Sequence, residues 1–404
     1  MKIKSMHLEN YRCFRKLDIT FDEQLTVLVG VNGAGKTAVL DALGVFLKGA
    51  EGGGVGPYYI DVPPTDTTIG CAPKTLNYSV LIRLESGKEC MYTAHSLDFK
   101  DFGILMMDEY AHVFAAYMSG RIVPDKDLLL ERNPNNVQKD KFRFSRKIDY
   151  KSALVWFDTI DAAEARRIRA EGHDKKSPIL TAVREALSKA LLGNYEHPMM
   201  NDEIPSELVI KEKESDHYIK VSQLSAGYRA MLALIMDLTY RMAQVLFERE
   251  PNESILQTPA IVLIDEVELH LHPSWQQTVL TTLMDIFPNT QFIVTTHSPQ
   301  VLTAIKNKHI RILENGEAFT VPGQTEGAEA SRLLEDIFDV TQRPNRPIVQ
   351  KLNEYANLIC NEKKWDTPEA IKLRQELDAH YGGHEPRLTE MDLRIENLKW
   401  ERGL

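Results

Sequence analysis

The feature that most constrains the fold is a glycine-rich loop near the N-terminus, Gly30-Val31-Asn32-Gly33-Ala34-Gly35-Lys36-Thr37. It follows the apolar segment Leu25 to Val29 and precedes a helical pattern from Ala38 to Leu47. Its spacing matches GxxxxGK[ST], the phosphate loop, whose context is a strand before it and a helix after it. The sequence therefore predicts an α/β fold that holds a nucleotide on this loop.

Each residue type in the glycine-rich loop indicates a particular contact with the nucleotide. Glycines let backbone N–H groups point inward at phosphate oxygens, and the N-terminus of the following helix adds positive potential. We expect Lys36 to reach the β- and γ-phosphates and the Thr37 hydroxyl to coordinate Mg²⁺, so ATP and Mg²⁺ are the expected cofactors. The other residues expected to line the phosphates are Gly30, Asn32, Gly33, Ala34, Gly35 and Ala38.

A second apolar segment, Ala260 to Ile264, ends in the acidic pair Asp265-Glu266. In open α/β sheets the carboxyl ends of the strands are where ligands bind. Asp265 suits the Mg²⁺ shell because Mg²⁺ prefers hard oxygen ligands. Glu266 is suited to orient and partly deprotonate an attacking water. The pair therefore predicts hydrolysis, with Lys36, Glu266 and a later histidine as the catalytic residues.

Composition narrows the class of protein. The chain has 404 residues and a formal net charge of −10, which argues against broad affinity for nucleic acid. Its four cysteines are scattered, so neither a disulfide framework nor a zinc site is indicated. No apolar run of about 18 residues occurs and charge begins at Lys2, so no membrane association and a cytoplasmic location are expected.

One local stretch departs from the acidic average. Residues 139–151 carry six lysines and arginines with interleaved aromatic residues, among them Tyr150. Such a stretch is suited to hold phosphates and stack bases, but it is more typical of a plain solvated face. Direct binding of DNA or another nucleic acid therefore stays open at this point.

Between the two nucleotide motifs lies Ser222-Gln223-Leu224-Ser225-Ala226-Gly227, which resembles the LSGGQ signature of ABC ATPases. The resemblance implies that Ser225 and Gly227 bind the γ-phosphate of ATP held by a second subunit, and hence a homo-oligomer. A helix start suits such a contact because its dipole and free donors attract anions. Taken alone, the pattern is also that of an ordinary helix N-cap.

A further match follows the next apolar segment. Thr296-His297-Ser298-Pro299 is similar to the switch-histidine segment of the same superfamily. The resemblance implies that His297 contacts the γ-phosphate or the attacking water. An isolated histidine at the end of a strand is more often structural, and it is the order of the motifs that favours function.

Two patterns indicate the branch of the superfamily. Glu266 to Pro273 is similar to the DExExxLHP pattern of RecF-like and OLD-like ATPases, and Leu8 to Phe14 resembles their LxNFRxF start, which would bring Arg12 near the nucleotide. His270 and His272 also suggest a metal site, but the resemblance puts this segment at a subunit interface. No convincing Q-loop glutamine follows the phosphate loop; Gln138 and Asp61 are weak candidates.

These matches imply an α/β fold of the ABC-type P-loop ATPase head, with a mixed, largely parallel sheet. We expect an N-terminal lobe at 1–98 with the phosphate loop and a mainly helical insertion at 99–200. A C-terminal lobe at 201–342 would carry the signature, the acidic pair and His297, and a small helical appendage would follow at 343–404. No heptad array occurs, which excludes a long coiled-coil arm.

The segment Thr325 to Val340, followed by Arg343-Pro344, is similar to the PtuA-type ATPases of the Septu and retron anti-phage systems. The resemblance implies a separate effector, an HNH nuclease of PtuB-like kind. Alternatives are a RecF-like DNA-repair ATPase that binds DNA when ATP is bound, and a transporter subunit, which the segment after Glu266 disfavours. A nuclease inside the chain is not expected, because no Glu plus DxD set follows His297.

Overall fold

The computed structural model describes residues 1–51, 77–83, 87–95, 112–118, 129–130, 148–171, 176–191, 193–247, 254–341 and 343–401. The chain divides into a large unit, Met1–Phe338, and a C-terminal unit, Asp339–Leu404. Gln138, Asp61 and the basic residues 139–147 lie outside the described residues, so the expectations attached to them stay predictions.

The strands are β1 Lys2–Tyr11, β2 Phe14–Thr20, β3 Leu25–Val29, β4 Asn77–Arg83, β5 Glu89–His95, β6 Val113–Tyr117, β7 Leu129–Leu130, β8 Tyr195–Met200, β9 Ser206–Glu212, β10 Tyr218–Lys220, β11 Ala260–Ile264, β12 Thr290–Thr295, β13 Ile310–Glu314 and β14 Glu317–Thr320. The helices of the large unit are α1 Lys36–Glu51, α2 Tyr150–Glu171, α3 Pro178–Ala190, α4 Ala226–Phe247, α5 Pro273–Gln276, α6 Val279–Ile286, α7 Pro299–Leu302 and α8 Ala330–Phe338. Those of the C-terminal unit are α9 Pro347–Cys360, α10 Pro368–Tyr381 and α11 Pro386–Glu401.

The main sheet has six strands in the order β14-β13-β3-β12-β11-β6. All neighbouring pairs are parallel except β13 and β14, so the predicted mixed, mostly parallel α/β sheet is confirmed. Strands β3, β11 and β12 are buried along their whole length, as central parallel strands are when helices cover both faces. Because parallel strands end at the same edge, the segments that follow β3, β11 and β12 meet there.

Helix α1 is held between this sheet and a second, antiparallel sheet of order β2-β1-β4-β5. Val39, Leu43 and Phe46 of α1 are fully buried in one hydrophobic cluster with Ile3 and Leu8 of β1. The packing fixes the helix axis, and with it the N-terminus of α1 at the glycine-rich loop. The transfer of large apolar side chains from water stabilises this arrangement by about 1.5–3 kcal/mol each.

The stretch 99–200 differs from the predicted helical insertion in two respects. Residues Val113–Tyr117 form β6, the edge strand of the main sheet, paired in parallel with β11. Helices α2 and α3 pack in the same hydrophobic cluster as α4, through Phe157, Leu187 and Leu232 among others. A short strand that is wholly buried has no alternation, so its periodicity does not separate it from helical surroundings.

A buried polar cluster joins β6 to α4. Asp237 of α4 is fully buried and accepts hydrogen bonds from the Tyr117 hydroxyl (2.7 Å), from Arg241 Nε (2.8 Å) and from the backbone N–H of Asp149 (3.1 Å). Burial, together with the charge of Asp237, raises the pKa of Tyr117. Because these groups come from β6, from α4 and from the residue before α2, the cluster fixes α4 against the sheet edge and the start of α2.

The C-terminal unit is formed by α9, α10 and α11 around a core that includes Leu352, Ile359 and Leu377. Arg343 donates two hydrogen bonds to Glu385, at 2.6 and 3.0 Å, which lowers the pKa of that carboxyl group. This ion pair gives the Arg343-Pro344 pattern a structural role, because it ties the start of the unit to the start of α11.

Among the helices that the structure describes, none combines the length and the apolar character that a membrane span requires.

Candidate nucleotide-binding site

The glycine-rich loop lies at the carboxyl end of β3 and rests on the turn between β1 and β2. Gly35 has a φ of +97°, and a Cβ atom there would lie 2.3 Å from a ring carbon of Phe14 and 2.6 Å from the sulfur of Cys13. Both the backbone conformation and the lack of space therefore require glycine. The β1–β2 turn thus supports the loop from below.

Lys36, the first residue of α1, reaches back across the loop. Its ammonium group donates to the carbonyl oxygens of Gly30 (2.8 Å) and Val31 (3.0 Å). Burial lowers the pKa of Lys36, against the opposing charges of the nearby carboxylates Asp265 and Glu266. The sequence predicted this lysine at the phosphates, and the structure brings it beside the acidic pair.

Thr37 and Asp265 lie together at the sheet edge, although 228 positions separate them. The Thr37 hydroxyl is 3.2 Å from Asp265 Oδ2, and Asp265 Oδ1 accepts a hydrogen bond of 2.6 Å from the Thr295 hydroxyl. A hydroxyl and a carboxylate are the oxygen donors that suit Mg²⁺, which takes its remaining oxygens from phosphates and water. Within the described ranges no group of three His, Cys, Asp or Glu side chains forms a metal cage. The donor set fits a Mg²⁺ ion that arrives with the nucleotide.

Glu266 is fixed by its backbone. It has a φ of +48°, and its N–H donates to the Thr295 hydroxyl at 2.7 Å. The next residue, Val267, donates its N–H to the carbonyl oxygen of Thr295 at 3.0 Å. A non-glycine residue in the left-handed region costs about 1–2 kcal/mol and occurs preferentially at functional sites. The half-buried Glu266 side chain thus starts from a rigidly held position at the end of β11.

Thr295 contacts the acidic pair, although the sequence did not single it out. Its hydroxyl accepts from the backbone of Glu266 and donates to Asp265, so one side chain orients both members of the acidic pair. The available signal was a threonine at the carboxyl end of an otherwise apolar buried strand, where a hydroxyl needs a partner.

His297 reaches the same edge through the turn that follows β12. The backbone N–H of Thr296 donates to the carbonyl oxygen of Leu28 at 3.2 Å, beside the start of the glycine-rich loop. The N–H of His297 donates to Glu268 at 2.6 Å. The turn that contains the half-buried His297 therefore lies between β3, which leads into the loop, and the segment that follows β11.

Ser225 and Gly227 stand at the start of α4, and the atoms nearest to Gly227 belong to His270 and Leu271. Ser225 is exposed, and its carbonyl oxygen accepts the N–H of Arg229 at 3.1 Å. Ser225 thus faces solvent, whereas Gly227 is buried against the segment after Glu266. An exposed helix start suits contact with a ligand on another molecule.

We expect Gly227→Ala to lower ATP turnover about tenfold or more, because a displacement of about 1 Å in a group that contacts the substrate can cost a factor of 100. The new Cβ atom would lie 2.5 Å from the backbone oxygen of His270, so the start of α4 must shift. ATP affinity of the single chain should stay within about twofold, since the phosphate loop is untouched. Turnover and equilibrium binding of a fluorescent ATP analogue measure the two effects.

Gly323→Ala is the matched control, because a Cβ atom there meets nothing within 4 Å. Equal turnover of Gly227→Ala and Gly323→Ala would contradict the role of the α4 start.

Arg12 is tied to the helix that follows the loop. Its guanidinium group forms an ion pair with the buried carboxylate of Asp41 in α1 and lies 5.4 Å from the centre of the Tyr11 ring. Arg12 thus connects the β1–β2 turn to α1. Its predicted contact with the nucleotide stays a prediction.

The structure bears on two further expectations, the base-stacking surface at 139–151 and the metal site suggested by His270 and His272. Tyr150 is 3% exposed and belongs to the core of α2, so it is not available to stack a base, contrary to the interpretation of 139–151 as a stacking surface. The ring nitrogen Nδ1 of His272 accepts the N–H of Ser274 at 3.3 Å and caps α5. A capping role accounts for His272 without a metal.

Two protein-family models match the chain. One is described as an AAA ATPase domain and matches residues 1–99, and the other is described as an AAA domain, putative AbiEii toxin, Type IV TA system, and matches residues 110–303.

Among curated proteins, the chain is similar to the retron Ec83 probable ATPase of Escherichia coli. The two are 29% identical over an alignment of 488 positions, gaps included, which covers 99% of this chain and 88% of that protein. It is also similar to the Septu protein PtuA of Bacillus thuringiensis, with 21% identity over 90% of each chain. Among solved structures, the SMC head domain from Thermotoga maritima aligns with 80% of this chain and 100% of its own, at 19% identity and a TM-score of 0.43.

Proposed function

We propose that this chain, an ATPase similar to the retron and PtuA ATPases, is of the ABC/SMC type and acts in anti-phage defence by closing over ATP and controlling a separate effector. Two or more chains would close so that ATP held on the loop of one subunit meets Ser225 and Gly227 of another. The effector would be an HNH nuclease of PtuB-like kind.

The observation that carries the ATPase part of the proposal is the cluster at the sheet edge. Lys36, Thr37, Asp265 and Glu266 come from two distant segments. The Thr295 hydroxyl donates to Asp265 and accepts the N–H of Glu266, which holds the acidic pair in place. When bound, Mg²⁺ supplies charge neutralisation on the phosphates. Lys36 binds the β- and γ-phosphate oxygens through its ammonium group. The Asp265 carboxylate and the Thr37 hydroxyl would supply oxygen ligands to that ion, which orients the triphosphate against the loop.

The remaining groups act on water. Glu266 accepts a hydrogen bond from the attacking water and takes up its proton as the water oxygen bonds to the γ-phosphorus, while the bond from that phosphorus to the β,γ-bridging oxygen breaks and ADP leaves. His297 donates a hydrogen bond toward the γ-phosphate and so senses its presence. Pre-positioned donors and acceptors contribute most to phosphoryl transfer, because little covalent chemistry is left to the protein.

Closure between subunits follows from the same chemistry. The γ-phosphate recruits the exposed Ser225 and the N-terminus of α4 from a second chain through charge-assisted hydrogen bonds. Hydrolysis and phosphate release remove those contacts, so the closed state lasts only as long as ATP is intact. An effector that binds one state alone is thereby controlled by nucleotide.

The partner is tested by co-expression with the neighbouring open reading frame and purification through a tag on this chain. We expect one HNH protein to co-purify, in an amount that differs between the wild type and Glu266→Gln in ATP and Mg²⁺. Lys36→Ala serves as the control in which nucleotide has no influence. Failure of every neighbour-encoded protein to bind would contradict the effector part of the proposal while leaving the ATPase site intact.

The alternative is a RecF-like repair ATPase that binds DNA in an ATP-dependent way, supported by the DExExxLHP pattern. The burial of Tyr150 removes one of the aromatic residues on which a DNA-binding surface at 139–151 would depend. Salt-sensitive, ATP-dependent DNA binding by the isolated chain would favour this alternative.

A further inference from the structure

Glu268 lies two residues after Glu266, and its half-buried carboxylate grips the turn that carries His297. One oxygen, Oε1, accepts the backbone N–H of His297 at 2.6 Å. The other, Oε2, accepts the hydroxyl of Thr296 at 2.7 Å. Hydrogen bonds to an ionised acceptor are about twice as strong as neutral ones. A single side chain therefore spans the 29 positions between the two segments.

The same turn is held from two other directions. The N–H of Ser298 donates to the Thr296 hydroxyl at 3.0 Å, and the Ser298 hydroxyl donates to Gln276 at 2.6 Å. The N–H of Thr296 donates to Leu28, at the end of the strand that leads into the phosphate loop. Within this turn, the backbone N–H of His297 itself is held by Glu268.

Glu268 is itself carried by a fixed segment. Glu266 is pinned to Thr295 through its backbone and holds a positive φ, and Gly227 packs against His270 at the far end. The segment 266–270 therefore has little freedom to move along the sheet edge. Only Val267 separates Glu266, whose carboxylate would activate water, from Glu268, whose carboxylate holds the histidine turn.

We propose that Glu268 is a positioning residue for ATP hydrolysis, which sets the place of the His297 imidazole relative to Glu266 by holding the backbone of His297 and the hydroxyl of Thr296. The proposal rests on the role of His297 in the proposed function. Both carboxylate oxygens of Glu268 accept hydrogen bonds from the turn that carries His297. Its effect on turnover passes through the histidine.

A second effect of Glu268 has to be separated from this one. Its negative charge is one of three nearby charges that raise the pKa of Lys36 against the effect of burial. If charge were its contribution, the loss of Glu268 would change the ATP affinity. If position is its contribution, the loss would lower kcat and leave the ATP affinity nearly unchanged.

The experiment compares Glu268→Ala and Glu268→Gln, each in the wild-type and the His297→Ala background, by kcat and by ATP dissociation constant. Glutamine retains an acceptor for the N–H of His297 and a donor for the Thr296 oxygen, but it has no charge. We expect Glu268→Ala to lower kcat about 10- to 100-fold, since a misplacement of about 1 Å can cost a factor of 100. Glu268→Gln should keep most of the wild-type kcat, and both variants should bind ATP within about threefold of wild type.

The comparison of the wild-type and His297→Ala backgrounds tests whether the effect of Glu268 on kcat passes through His297. In His297→Ala protein, we expect Glu268→Ala to change kcat less than about twofold, because coupled residues are not additive. An equal loss in both backgrounds, or a Glu268→Gln protein as impaired as Glu268→Ala, would overturn the inference. A His297→Ala protein with wild-type kcat would instead remove the histidine's proposed role and this inference with it, while nucleotide binding at Lys36 would stand.

Thermal unfolding of each variant shows whether the chain is folded. If Glu268→Ala does not fold, Thr296→Val takes its place, because it removes the Oε2 partner and leaves the carboxylate. We then expect a loss of kcat in the wild-type background that disappears in the His297→Ala background. Persistence of that loss would overturn the inference equally.

Discussion

Replacement of Lys36 by alanine is expected to raise the dissociation constant of ATP at least about 100-fold, which corresponds to about 2.7 kcal/mol. Hydrogen bonds to charged groups contribute about 1.5–3 kcal/mol each, and Lys36 is expected to serve two phosphates. Its ammonium group already lies over the loop, held by the carbonyl oxygens of Gly30 and Val31. Titration calorimetry with ATP and Mg²⁺ measures the change.

Lys16→Ala is the control for this prediction. Lys16 is largely exposed and lies 3.6 Å from Asp18, away from the loop, so its removal should leave ATP binding within about twofold of wild type. Thermal unfolding without nucleotide shows whether loss of the two carbonyl contacts unfolds the loop region. Equal ATP affinity of the wild type and Lys36→Ala would contradict the assignment of the site.

Replacement of Glu266 by glutamine is expected to lower kcat by about 10²–10⁴-fold, the usual contribution of a general base. The amide can still accept a hydrogen bond from water, but it cannot take up the proton. ATP affinity should stay within about threefold, because Glu266 is not expected to bind the phosphates directly. Phosphate release under saturating ATP and Mg²⁺, together with ATP binding, measures both quantities.

Glu317→Gln provides the control, since Glu317 is an exposed carboxylate on β14 at the edge of the same sheet. It should turn over ATP at the wild-type rate. A Glu266→Gln protein that kept more than about a tenth of wild-type turnover would show that another group acts on the water.

The fold and most of the site could be predicted because the information is local. The apolar runs of β3 and β11 identify buried parallel strands, and the residues that follow each run identify the sheet edge. The glycine-rich loop carries its own conformational requirement, as the space around Gly35 shows. Lys36, Thr37 and Asp265 were therefore assigned from sequence and lie together in the structure.

What could not be predicted depends on the neighbours of strands in space. Thr295 and Glu268 act across the pairing of β11 with β12, where Ile264 faces Val294, and nothing in the sequence fixes that register. Strand β6 was missed because a wholly buried strand shows no alternation. Between β11 and β12 the chain forms two short helices, α5 and α6, and the side chain of Gln276 near the break donates to the carbonyl oxygen of Leu271 and accepts from the Ser298 hydroxyl, contacts that depend on the folded neighbours.

The central claim is that ATP closes two or more chains over a site built by Lys36, Asp265 and Glu266. The most direct test is the mass in solution of the Glu266→Gln chain, measured by light scattering with and without ATP and Mg²⁺. We expect ATP and Mg²⁺ to at least double the mass of the Glu266→Gln chain. Adding Lys36→Ala to the same chain should abolish the increase. An unchanged mass of Glu266→Gln under saturating ATP and Mg²⁺ would contradict the central claim.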